Sequence, residues 1–219
     1  MAPAAAECTP VLGPGHPVVL PWTLRNWHIH GEFVYITTDT GELLWRGNHE
    51  GATGYGLSPD GQPSFDAMPE DFKQKVWALD ELGQKQFMQA QALEFIRQHP
   101  GEFIYNTWRK ITYFWWFYPL AGVFYPEVYL KVYQAIYAVV LVLALVGISA
   151  GWLYYPQARG GILLFLLLFA VVCFSQSLFY VNIRHRWGSE PLLILFSSLG
   201  LTFMWQKIGL GSDDPIDSN

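Results

Sequence analysis

Apolar residues are distributed unevenly along the chain, and their runs predict its elements. Val132 to Tyr155 is apolar except for Gln134 and Ser149. About 20 residues at 1.5 Å each cross a hydrocarbon core of about 30 Å, so a membrane span is expected over 132–152. Tyr125, Tyr129 and Tyr133 lie at one end and Trp152, Tyr154 and Tyr155 at the other, as the two membrane interfaces favour. Pro156, Arg159, Gly160 and Gly161 make a tight connection to a second span, 162–181. Its polar residues, Ser175, Gln176 and Ser177, can bond to a neighbouring helix or to their own turn. A third, shorter span is expected over 191–206, with Pro191 in its first turn and Lys207 at its end.

Phe103 to Tyr118 carries nine aromatic residues around Arg109 and Lys110. That pattern predicts an amphipathic helix in the headgroup region, anchored by Trp108, Trp115 and Trp116. A helix entering the membrane with its cations snorkelling is the competing reading. Upstream, Phe33–Thr38 and Glu42–Trp45, joined at Asp39-Thr40-Gly41, are expected to form a short strand pair. The glycine-rich stretch 47–61 is expected to be loop. Asp80 can cap a helix that places Met88, Ala92, Phe95 and His99 on one face and ends at Pro100-Gly101. A region of about 80 residues forms only a marginal core alone, so it should dock on the apolar helices.

The expected fold is mainly α and integral to a membrane. It has about three transmembrane helices, an interfacial amphipathic helix and a small α+β extramembrane region. The segments are a flexible, extended, proline-rich lead-in (1–20), the α+β region (21–102), the aromatic interfacial segment (103–128), the transmembrane helices (129–208) and a polar tail (209–219).

Composition agrees with this division. Only 14% of residues are charged, against roughly a quarter in soluble domains, while 52% are hydrophobic. Nearly all acids and bases precede Lys131. A net charge of -5 gives no reason to expect nucleic acid as a partner. Cys8 and Cys173 make neither a disulfide framework nor a zinc site and are read as small apolar side chains. The N-terminus lacks the basic and apolar stretches of a secretory signal.

Few residues carry recognisable chemistry. Arg184-His185-Arg186 and Glu190-Pro191 lie between the second and third spans. Two arginines at a bilayer surface suit a phosphate or diphosphate, whose oxygens match the guanidinium fork; a positive-inside anchor explains them equally well. Glu190 can pair with either arginine or favour the following helix N-terminus. Trp22 and Trp27 flank Arg25, as where a chain leaves the interface. His28, His30 and Glu32 alternate and could share a strand face, as a metal site or as a solvated edge. No nucleophile elbow, P-loop or HExxH is present. No cofactor or metal is expected.

Three separated segments resemble one family. Pro21-Trp22-Thr23-Leu24-Arg25-Asn26, then Gly41 to Gly54 (GELLWRGNHEGATG), then Arg184-His185-Arg186 with Glu190-Pro191, look like the C-terminal half of bacterial polyprenyl-phosphate-sugar glycosyltransferases. These are family 39-like enzymes with the C-type membrane fold, related to protein O-mannosyltransferases and to the aminoarabinose transferase of lipid A. The helix ending Ile96-Arg97-Gln98-His99-Pro100 and the aromatic segment with Lys110 also fit. The likeness runs from about Pro21 to Trp205.

The resemblance implies transfer of a sugar from a polyprenyl-phosphate lipid to a lipid, protein or glycan acceptor, on the outer face of the bacterial inner membrane. Arg184 and Arg186 would bind the donor phosphate, and Arg25, Asn26, Asn48 and Glu190 would shape the pocket. The family's catalytic carboxylate lies in an N-terminal half that this sequence lacks. The chain is therefore expected to be inactive alone, with a separately encoded N-terminal half as a partner or a longer gene product as its source. The resemblance also requires 21–128 to be extracytoplasmic, although counting Arg109, Lys110, Lys131, Arg184 and Arg186 favours the opposite orientation. The alternative is a small, non-enzymatic membrane protein that binds anionic lipid or a partner complex.

Overall fold

A computed structural model describes residues 16–120 and 126–208. Cys8, Tyr125, residues 1–15 of the lead-in and the tail from 209 lie outside the described residues. Among those described, helices dominate and no strand occurs; two isolated bridges, Tyr55 with Val181 and Leu57 with Pro63, are the nearest approach to a sheet.

Helix α1 (His16–His30) begins inside the stretch expected to be extended, and Pro21 lies within it. Its side chains account for the absence of the expected strand pair. Trp22 Nε1 donates to the Ile36 carbonyl at 2.8 Å, Thr23 Oγ1 to that of Tyr35 at 2.7 Å, and Asn26 Nδ2 to those of Ile36 and Val34 at 3.2 and 3.4 Å. The carbonyls of 34–36 are thus occupied by a helix and not by a second strand. Glu42–Trp45, the other half of the expected pair, belongs to helix α2 (Thr40–Gly47). Gly41 and Trp45, four apart, are buried together, and Glu42 pairs with Arg46 one turn on. A four-residue run is too short to separate the two periods, and here burial of that helical face decides.

Helices α3 (Glu70–Trp77) and α4 (Glu81–Gln98) complete a small N-terminal core, in which Trp45, Met68, Val76, Met88 and Ala92 pack together. Asp80 caps α4 as expected, its Oδ1 accepting from Gly83 N at 2.9 Å. Met88, Ala92 and Phe95 are the buried face of α4, whereas His99 is exposed. α2 crosses α4 so closely that a Cβ at Gly41 would overlap the Lys85 carbonyl.

Pro100 ends α4 by opening α5 (Pro100–Trp115), which buries Asn106, Lys110 and Phe114 at four-residue spacing and exposes Ile104, Tyr105 and Trp108. α6 (Glu127–Tyr154) and α7 (Arg159–Leu178) are joined by a single 3-10 turn at Pro156–Ala158. Arg159 Nε donates back to the Trp152 carbonyl at 2.8 Å and closes that turn. α6 and the stretch Pro156–Leu178 are each long and apolar enough to cross a membrane; α8 (Glu190–Lys207) is not among them. Ser175 and Ser177 bond back to their own turn, at the Val172 and Cys173 carbonyls, and Cys173 is buried in the apolar core.

α6 and α8 run parallel in close contact. Ser197 Oγ donates to the Val140 carbonyl at 2.8 Å, and Gly147 faces Gly200 with no room for a Cβ on either. The N-termini of α6 and α8 and the C-terminus of α7 therefore share one end of the bundle. The 47–54 segment that follows α2 meets that end, at Leu178, Phe179 and Val181.

Candidate functional site

Two polar assemblies join helices of the fold: one links α2, α5 and the end of α7, the other links α5, α6 and the start of α8. The first is built around Lys110, which is 0% exposed. Its Nζ donates to Asn48 Oδ1 at 2.9 Å, to the Phe179 carbonyl at 2.8 Å and to the Gly47 carbonyl at 3.2 Å. Asn48 in turn donates Nδ2 to the Leu44 and Leu178 carbonyls at 2.8 and 2.9 Å. The glycines of this motif have specific tasks. A Cβ at Gly47 would overlap the Phe179 carbonyl, and Gly54 (φ +79°) lies directly over the Lys110 stem, where a Cβ would fall 2.6 Å from Cγ. Asn48 is therefore a buried link between α2, α5 and α7 and does not line an open pocket.

Burial without a carboxylate partner pulls the Lys110 ammonium down from 10.5 to about 7. Its proton is held more weakly in the folded chain than in the unfolded one. Between about 7 and 10.5 the unfolded chain binds the extra proton, so stability rises with pH across that window. The expected slope is roughly 1.4 kcal/mol per pH unit at most. Denaturation midpoints at pH 7, 8 and 9 in detergent check this, and Lys110→Met should flatten the trend.

The second assembly surrounds Arg186, which is 1% exposed. Its guanidinium lies 3.8 Å from the Tyr137 ring centroid and 4.6 Å from that of Phe117. Nε pairs with Glu190 Oε1 at 3.3 Å, Nη1 donates to the Phe114 carbonyl at 3.4 Å, and Nη2 reaches the Tyr133 hydroxyl at 3.5 Å. Tyr133 donates to the same Glu190 oxygen at 3.0 Å. These contacts leave the Arg186 guanidinium committed to aromatic faces and Glu190, so it is not placed as a free phosphate ligand. Glu190 takes the structural role open to it, pairing with Arg186 beside the α8 N-terminus.

Arg184 is different. It is exposed, forms no ion pair among the described residues, and lines a cavity of about 600 Å³ at the shared end of α6, α7 and α8. Arg46 lines the same cavity, held by Glu42 and stacked 5.1 Å from the Tyr180 ring centroid. Tyr55, Tyr129, Tyr133, Tyr180 and Trp187 supply its aromatic walls, and Asn182 an amide. No carboxylate lines it among the described residues. The Tyr55 phenol is pushed up and the His185 imidazole down, both chiefly by burial. The guanidinium pair at this cavity is thus Arg46 with Arg184, not Arg184 with Arg186. Arg46 lies within the GELLWRGN segment, but its four-residue spacing from Glu42 reads in sequence as an ordinary exposed ion pair.

Arg25 and Asn26 are elsewhere. Asn26 is buried against 34–36, Arg25 stacks 4.7 Å from the Trp22 ring centroid, and both line a smaller cleft of about 200 Å³ that shares no residue with the larger one. His28 and His30 occupy the last turn of α1 and not a strand, and His30 approaches Glu81 at 3.9 Å. Among the described residues no group of three His, Cys, Asp or Glu side chains is placed to hold a metal ion.

No protein-family model, curated protein or solved structure matches the chain.

Proposed function

We propose that this chain is a membrane protein that holds the phosphate of a polyprenyl-phosphate sugar between Arg184 and Arg46, as the donor-binding part of a glycosyltransferase. The observation that carries the reading is a single aromatic-walled cavity lined by two guanidinium groups at one end of an apolar helical bundle. Arg184 brings a charge that forms no ion pair among the described residues, Arg46 lines the same cavity with a second one, and the tyrosine and tryptophan rings offer faces on which a sugar can stack.

Membrane insertion is supported by the surface of the bundle. Only 28% of the most apolar stretch in each of the two long helices is buried, so the leucines and valines of α6 and α7 face outward, which lipid accommodates and water does not. In this reading α8 crosses beside α6, its 18 residues spanning about 27 Å, α5 lies in the interface, and the cavity opens on the outer face with 21–128.

The absence of a lining carboxylate favours binding over catalysis within the described residues, which gives the second reading, a non-enzymatic protein for anionic lipid, its support. One titration separates the two. The chain in nanodiscs is titrated with a synthetic polyprenyl-phosphate mannose and, separately, with phosphatidylglycerol, following tryptophan fluorescence. Preference for the sugar lipid is expected, weakened roughly ten- to hundredfold in Arg184→Ala. Equal affinity for both lipids transfers the support to the second reading; an Arg184→Ala affinity equal to wild type removes both. Labelling of Gly188→Cys only from inside intact cells overturns the orientation.

A further inference from the structure

Lys110 and Arg186 are the fully buried cations among the described residues, and Lys110 differs in that its three hydrogen-bond acceptors are all neutral oxygens. Charged and titratable residues are present on every element around it. Arg46, His49 and Glu50 lie at and beyond the end of α2, Tyr55 in the glycine loop, Tyr180 after α7, and Arg109 and Tyr113 on α5 itself. None of these makes a hydrogen bond or ion pair with Lys110 among the described residues. Arg46 is taken by Glu42, His49 bonds the Trp45 carbonyl and stacks on the Trp45 ring, and Arg109 bonds Asn106 and Tyr113. Among the described residues the ammonium is offset by these oxygen dipoles and by the face of the Phe103 ring, 5.9 Å from its centroid.

Those dipoles belong to particular places. Gly47 directly follows Arg46, and Phe179 directly precedes Tyr180. Arg46 and Tyr180 touch each other as one wall of the cavity. The same wall is completed by the Val181 amide donating to the Gly54 carbonyl at 2.9 Å, over the Lys110 stem. One side chain, reaching from α5, thus fastens the two backbone segments that present the arginine and the ring on which it stacks.

We propose that Lys110 is a positioning residue whose protonated form clamps the Arg46–Tyr180 wall, so that losing its proton loosens that wall and weakens retention of an anionic ligand. The inference rests on the phosphate-cavity reading for its ligand but not for the clamp itself. A protonated lysine has three donors for three acceptors. The neutral amine has two donors and a lone pair, so one of the three oxygens is orphaned. Burial places the exchange of that proton near pH 7. Whole-chain unfolding returns Lys110 to water, whereas loosening of the wall leaves it buried and only breaks one of its hydrogen bonds, so stability and local fastening move in opposite directions with pH. Raising the pH removes a desolvated charge from the core while it frees one carbonyl or amide oxygen at the wall.

The test uses the full chain in nanodiscs at pH 6 and pH 8.5. Amide hydrogen exchange, corrected for the intrinsic effect of pH, is read in peptides covering 46–49 and 178–182, with α8 as the internal reference. Protection at the wall is expected to fall about tenfold relative to α8, with Lys110→Met showing the high-pH value at both pH values and Lys131→Met behaving as wild type. Affinity for polyprenyl-phosphate mannose, a diester whose single charge is constant over this range, is expected to fall severalfold in parallel. Unchanged wall protection in the wild type overturns the clamp, whether or not Lys110→Met folds. A wall that loosens while affinity stays constant overturns the positioning role. A wall that loosens in a chain that binds no sugar lipid at either pH upholds the clamp and overturns the phosphate reading instead.

Discussion

Replacing Arg186 with methionine is expected to destabilise the chain by about 3 kcal/mol, the low end for breaking a buried ion pair because Glu190 keeps some access to solvent. The loss has three parts. Glu190 is left with only Tyr133, the Phe114 carbonyl loses its donor, and the space among Phe117, Tyr133 and Tyr137 loses a flat cation that fits between their rings. Removing both charges in Arg186→Met with Glu190→Leu should recover much of the loss, since an apolar pair no longer carries a buried carboxylate. Arg184→Ala, two residues away, should change stability by less than about 0.5 kcal/mol, because that side chain is exposed and unpaired. Thermal midpoints of the four proteins in one detergent make the comparison. Equal losses for Arg184→Ala and Arg186→Met would show that the aromatic cage contributes nothing.

An alanine at Gly147 should be at least as damaging, costing about 3 kcal/mol or more. At this point the backbones of α6 and α8 meet. A methyl on Gly147 overlaps the Phe196 carbonyl, and one on Gly200 overlaps the Leu143 carbonyl. Overlap with backbone cannot be relieved by a rotamer change, so the helices must separate, and the Ser197 bond to the Val140 carbonyl is drawn apart with them. Gly160→Ala and Gly161→Ala, at the start of α7 with open space around both, provide the control. They should be neutral or stabilising by up to about 1 kcal/mol, because alanine is the better helix former. A Gly147→Ala protein as stable as these controls would mean that α6 and α8 do not touch as described.

The long elements were legible in the sequence for a simple reason. A run of 20 apolar residues, or a capped stretch with Met88, Ala92 and Phe95 on one face, satisfies its own backbone and has few alternatives. α4, α6, α7 and α8 all lie where their patterns put them, within a few residues. The short run around Trp45 had no such redundancy. Its residues fit strand and helix alike, and the carbonyls of 34–36, the expected partner strand, are taken by Trp22, Thr23 and Asn26 from 8 to 14 residues away. The close approach of Gly147 to Gly200 belongs to tertiary packing alone, since nothing local to either helix names the other.

The site divides along the same line. Sequence alone determined that Arg184, Arg186 and the Glu190-Pro191 pair would sit together at one end of an apolar bundle, because a short connection between two apolar helices leaves them nowhere else. It could not determine which guanidinium remains free. Arg184 and Arg186 are equivalent in composition and nearly so in position, but a 3-10 turn of the chain points one into a cage of rings and the other toward an open cavity. The second cation at that cavity, Arg46, comes from a helix about 140 residues earlier. Tertiary packing chose it, because only the fold places Gly47 against Phe179 without a side chain between them. Charge and hydropathy are properties of residues, while availability is a property of what surrounds them.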